Sequence, residues 1–318
     1  MKKVCCLLLA FFILFPLASC KKNHDTAVRV FVLNGTTGFG IAPLISTHQK
    51  GEARLNYTFT VEKDATHVRD AIINGSADIA AVPTNVAATL YNATSGGVKV
   101  LALNTAGVLY VVTTGGTVNS LSDLVGKTLF TPAQNPAFIM GALLREADIS
   151  DVTLDSATYA DPTALRDAVA SGLVEYAVLP EPMVTIAKAA ADAVTVTVAL
   201  DLTTEWDKHF TPGSLVQGCV VVRTAFLEEH PDAVSTFLEE YEASVNTVKN
   251  DSANAARLIA EAGILNNANV AAAALPNCHI IYKTGEEMKT ALDAFLAKMP
   301  PASIGGALPD DDFYYSKE

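Results

Sequence analysis

Apolar positions along this chain follow two periods in turn. Short apolar runs at 30–33 and 127–130 and alternating stretches at 55–61 and 152–158 read as strands, and the segments between them carry the three-and-four spacing of amphipathic helices. Laid against itself at an offset of 97 residues, the chain aligns Asp64–Pro83 (DATHVRDAIINGSADIAAVP) with Asp161–Pro180 (DPTALRDAVASGLVEYAVLP), identical at eight of twenty positions. In each copy a helical spacing runs to a glycine, Gly75 or Gly172, placed where a helix terminates. A buried strand ending in proline follows. Each copy therefore reads strand, loop, helix, strand, helix, strand. Two such βαβαβ units predict an α/β fold of two lobes, each a parallel-rich sheet flanked by helices.

No third copy follows. The β-branched run Val216–Arg223 precedes a helix opened by Pro231, with Val234, Phe237, Leu238, Tyr241, Val245 and Val248 on one face. Further helices are expected at 253–262, 270–275 and 286–299, a tail without a sheet of its own that must pack on the first lobe. The two connecting strands, 108–114 and 216–223, are expected to form the hinge. Residues 27–113 with 216–318 are then the first lobe and 114–215 the second.

The N-terminus stands apart. Lys2 and Lys3 precede an apolar run from Val4 to Leu17, too short to span a bilayer comfortably, and small residues follow it. This is a secretory signal over residues 1–19. The string Leu17-Ala18-Ser19-Cys20 resembles the bacterial lipobox, which implies lipidation of Cys20, a mature chain beginning there, a linker over 20–26, and a protein tethered on the outer side of the cytoplasmic membrane.

Composition narrows the function. The 318 residues are 50% apolar, 18% charged and 7% aromatic, enough for two packed domains and incompatible with disorder. A net charge of −12 offers nucleic acid no basic surface. With Cys5 and Cys6 in the signal and Cys20 lipidated, Cys219 and Cys278 remain, either as a disulfide or as two buried small apolar residues. Neither a metal nor a cofactor is expected, because the six histidines are scattered and Cys278-His279 has no further ligand at metal spacing.

In open α/β sheets ligands bind beyond the carboxyl ends of the strands, where helix N-termini leave N–H groups unsatisfied. That places the candidate site in the loops holding Thr36, Thr37, Gly38 and Phe39, Thr84 and Asn85, Gln134 and Asn135, and Glu181. Asn135 before Pro136 reads as a helix N-cap and first helical residue. Phe39, between glycines in a polar loop, is the expected stacking platform for a flat ligand. No nucleophile elbow or paired His is present, so catalysis is not expected. An enzyme on this scaffold would have to use Glu181 or Asp161 as its base. A surface lipoprotein that senses or adheres is the remaining alternative.

The strings NGSADIAAVP (Asn74–Pro83), LSDLVGKTL (Leu121–Leu129), LPEP (Leu179–Pro182), GCVVVRTAFLEEHPDAVSTFLEEY (Gly218–Tyr241) and SIGGALPDDDFYY (Ser303–Tyr315) together resemble the extracytoplasmic substrate-binding proteins of ABC importers. The likeness is to the type II branch that serves nitrate, sulfonates, taurine and thiamine-pyrimidine precursors. The resemblance implies a monomeric two-lobed clamp that closes on one small solute and delivers it to a membrane permease driven by a cytoplasmic ATPase. It implies binding residues in the loops just named.

Overall fold

The repeated unit folds twice in the same way. In the computed structural model, which describes residues 23–316, helix α3 (Ala65–Ile73) and helix α6 (Pro162–Ala170) occupy equivalent positions in the two copies. Both start at an aspartate whose side chain accepts from the first turn, and both end before a glycine at positive φ, Gly75 and Gly172 at 77°.

The first sheet holds β1 (Asn23–Leu33), β2 (Leu55–Glu62), β3 (Ile79–Pro83), β4 (Val98–Ala106), β10 (Val216–Arg223) and β11 (Ile280–Lys283), in the order β11-β4-β10-β3-β1-β2. The second holds β5 (Leu109–Thr113), β6 (Thr128–Phe130), β7 (Thr153–Asp155), β8 (Tyr176–Pro180) and β9 (Thr197–Asp201), in the order β7-β6-β8-β5-β9. Each sheet has a parallel trio, β2-β1-β3 or β7-β6-β8, followed by an antiparallel strand from elsewhere in the chain.

That strand corrects the expected hinge. Leu109–Thr113, read from sequence with the first lobe, pairs with β8 and β9 in the second sheet, and Val216–Arg223 pairs with β3 and β4 in the first. Both strands are hydrogen-bonded on two sides within one sheet and buried, so neither spans the two lobes. The crossovers are the short stretches beside them, Gly107-Val108 and Phe210–Leu215. The tail is also not without strand: Ile280–Lys283 adds an antiparallel edge beside β4, and Tyr314 bridges to Val100.

Helices α1 (Thr36–Phe39), α2 (Ala42–Gln49), α4 (Thr84–Ala93), α5 (Asn135–Glu146), α7 (Met183–Ala190), α8 (Leu202–His209), α9 (Thr224–Glu229), α10 (Pro231–Asn250), α11 (Ser252–Glu261), α12 (Ala268–Ala274) and α13 (Gly285–Leu296) complete the lobes. On one flank a single apolar cluster takes in Leu90 and Phe295 of the first lobe with Ile139, Leu143 and Trp206 of the second. Trp206 lies fully buried with its ring 5.7 Å from that of Phe295 and donates Nε1–H to Ser214 Oγ at 2.8 Å. Cys219 and Cys278 are both buried and unbonded, which removes the disulfide alternative. Residues 1–19 and Cys20 lie outside the described residues.

Candidate functional site

The carboxyl ends of β3 and β6 deliver two helix N-termini to one cleft between the lobes. Pro83 closes β3 and leads straight into α4. Its first residue, Thr84, is buried and donates Oγ1–H to Val216 O at 2.9 Å, which ties the helix start to the first residue of β10, just past the second crossover. The next residue, Asn85, is buried at the cleft wall. Across the gap, Gln134 takes the N-cap position of α5 at φ 67° and Asn135 is the first helical residue, so the helix begins one position earlier than expected from Asn135 as N-cap and Pro136 as first helical residue. The left-handed turn at Gln134 aims α5 at the cleft, with Pro136 in its first turn, where no N–H is needed.

The cleft is about 550 Å³. Neither α4 nor α5 has a side-chain cap, so their first-turn N–H groups remain donors beside it. Asn135 is 8% exposed and its acceptor Oδ1 is enclosed without a partner among the described residues. Arg69 on α3 is the cation of the cleft wall; it also holds Asp70 through Nε at 3.0 Å and Nη2 at 2.8 Å. Asp64 stands at the rim, where hydrogen bonds from Thr66 hold its carboxyl below the usual range. Ser303, from the C-terminal tail, completes the wall.

Of the residues read from sequence, Asn85, Gln134 and Asn135 line this cleft. Thr84 adjoins it but turns its hydroxyl to the start of β10. The loop Thr36–Phe39 is committed to the first lobe. Asn104 Nδ2 donates to Thr37 O at 3.1 Å, Thr105 Oγ1 to Thr36 O at 3.5 Å, and a Cβ on Gly38 would meet Leu33 O at 2.5 Å. Phe39 is fully buried among apolar residues that include Val32 and Ile264, so it is not the expected platform. Its flanking glycines allow close approach of strand and helix rather than exposure of the ring.

Glu181 separates from the others. It is 3% exposed and lines a different cavity, accepting from Thr185 N at 3.2 Å, Thr185 Oγ1 at 3.0 Å and Asn277 Nδ2 at 3.5 Å. Burial pushes its carboxyl above the usual range, against the lowering effect of those bonds. The cleft residues missed from sequence, Arg69 and Ser303, sit on a helix and in the tail rather than in strand-end loops. Arg69 did carry a signal, because it repeats as Arg166 in the second copy.

No family model and no curated protein sequence matches the chain. Solved structures do. An ABC transporter protein from Parabacteroides distasonis is 23% identical with a TM-score of 0.77, over 92% of this chain and all of that one. The periplasmic aliphatic sulphonate binding protein SsuA from Escherichia coli is 15% identical with a TM-score of 0.68, over 92% of this chain and 94% of that one. The alkanesulfonate-binding protein SsuA from Xanthomonas axonopodis pv. citri, bound to MOPS, is 13% identical with a TM-score of 0.64, over 87% and 95%. The chain therefore has the two-lobed α/β fold of these solved structures.

Proposed function

We propose that this chain is the extracytoplasmic solute-binding component of an ABC importer and that its cleft holds a small oxyanionic solute of the sulfonate class. One observation carries the reading: two uncapped helix N-termini and the Arg69 guanidinium converge on one interlobe cleft. Backbone N–H groups at helix starts favour an anion, and a planar guanidinium matches an oxyanion in two-point contact. Lipidation at Cys20 would tether the body beside a permease, and closure of the lobes on the solute would signal loading. The two carboxylates considered as catalytic bases are engaged elsewhere, Asp161 as the cap of α6 and Glu181 away from the cleft, which supports binding without turnover.

The test is calorimetric titration of the chain from Asn23 onward with ethanesulfonate, taurine, nitrate and benzoate. A sulfonate should bind with the highest affinity, and Arg69→Gln should weaken it about tenfold, the loss expected from one charge-assisted contact. Equal affinity in the wild type and Arg69→Gln would remove the cleft assignment.

A further inference from the structure

The two copies of the repeat diverge at the residue after the buried strand, Thr84 in the first and Glu181 in the second. Thr84 is spent on the start of β10, whereas Glu181 faces a second cavity of about 590 Å³. Its walls come from both lobes: Glu181, Thr185 and Lys188 with Val198 on one side, Ala273 of α12 and Asn277 on the other. The Glu181 carboxylate is almost wholly buried, and three neutral donors reach it from Thr185 and Asn277. Among the described residues no cation forms an ion pair with it. An ionised carboxylate shut away from water with no ion-pair contact is costly, the field of Lys188 offsets only part of that cost, and the carboxylate borders space that a cation can enter. Lys188 stands farther along α7 on the same wall, exposed at the cavity, with Val198 and Ala273 offering apolar surface.

We propose that this cavity is a second ligand site, for a small zwitterion whose ammonium pairs with Glu181 while its carboxylate meets Lys188. The site is independent of what the cleft holds. Because its walls belong to both lobes, an occupant touches both α7 and α12.

Calorimetry with γ-aminobutyrate, butylamine and butyrate tests this. γ-Aminobutyrate should bind about tenfold more tightly than either monofunctional probe, since each lacks one charge contact. Glu181→Gln should lose about the same factor. Ala273→Leu, which fills the cavity from an exposed position on the opposite lobe, should abolish binding while leaving the Glu181 environment intact. No measurable heat at millimolar γ-aminobutyrate, affinity unchanged in both variants, or displacement of γ-aminobutyrate by ethanesulfonate would each overturn the proposal. The last result would place the probe in the cleft. Sulfonate titrations report on the cleft separately, so failure of one site is distinguishable from failure of the other.

Discussion

Asp64 and Asp161, 97 residues apart, cap equivalent helices through equivalent bonds. Asp64 accepts from Thr66 N at 2.8 Å, and Asp161 from Thr163 N at 2.8 Å and Ala164 N at 3.0 Å. A cap aspartate satisfies donors that the helix itself leaves open, and its carboxylate complements the positive end of the dipole. Asp161→Ala should cost about 1 kcal/mol and lower the melting temperature by roughly 2 °C. Thermal melts followed by circular dichroism check this, and an unchanged midpoint would show that water replaces the cap at no cost.

Asp78 should dominate the acid side of the stability profile. It lies buried before β3 and accepts from Arg29 N, Arg29 Nε and Nη2, and Arg223 Nη2. Burial pushes its carboxyl up, but the bonds from the two arginines together outweigh that and hold it below the usual range. With the folded value below the unfolded one, the stabilisation is fully present above about pH 5 and is lost as pH falls through the folded pKa. Asp78→Asn should destabilise by about 3 kcal/mol near neutrality, the low end for breaking a buried pair, because both arginines retain some solvent. Its deficit relative to wild type should shrink below pH 4, as read by urea titration across pH. A constant deficit would refute the assignment.

The duplication and the cleft's amides were legible because each rests on a local rule. Asp64, Gly75 and Pro83 recur as Asp161, Gly172 and Pro180, and caps, left-handed glycines and strand ends depend on a few neighbouring residues. The assignment of Leu109–Thr113 to a sheet was not legible. A β-branched run states that it will pair but not with which partner, and its ladder with β8 joins residues far apart in sequence. Phe39 misled for a related reason. It lies in an apolar cluster that includes Ile264, more than two hundred residues away, and no local spacing announces that cluster. Ser303 reaches the cleft on a tail tied to the first lobe: Asn92 Nδ2 donates to Ile304 O at 2.7 Å and to Ala307 O at 2.8 Å, Tyr91 donates to Asp310, Tyr314 donates to Asp293, and Lys289 pairs with Asp311 at 2.7 Å.

Cys219 and Cys278 should behave as inert core residues. Both are fully buried, and burial raises both thiols, which suppresses the reactive thiolate. For the chain from Asn23 onward, a reductant should leave the melting temperature unchanged, and a thiol reagent should label neither residue until the chain unfolds. Rapid labelling of the native protein, or a fall in melting temperature on reduction, would contradict the free, buried thiols.

Phe39 offers the sharpest separation of packing from binding. A ring enclosed on all sides contributes through the apolar surface it buries and the cavity its removal leaves, so Phe39→Ala should cost about 3–5 kcal/mol. Phe39→Leu keeps much of that volume and should cost about 1–2 kcal/mol. Since the ring does not reach the cleft, sulfonate affinity in the folded Leu variant should stay within about twofold of wild type, a change of less than about 0.5 kcal/mol. The two readings differ in sign across the pair of measurements: a core residue moves the melting temperature and spares affinity, whereas a stacking platform spares the melting temperature and moves affinity. A tenfold loss of affinity at unchanged stability would restore Phe39 to the binding site and require the loop Thr36–Phe39 to turn outward when solute is bound.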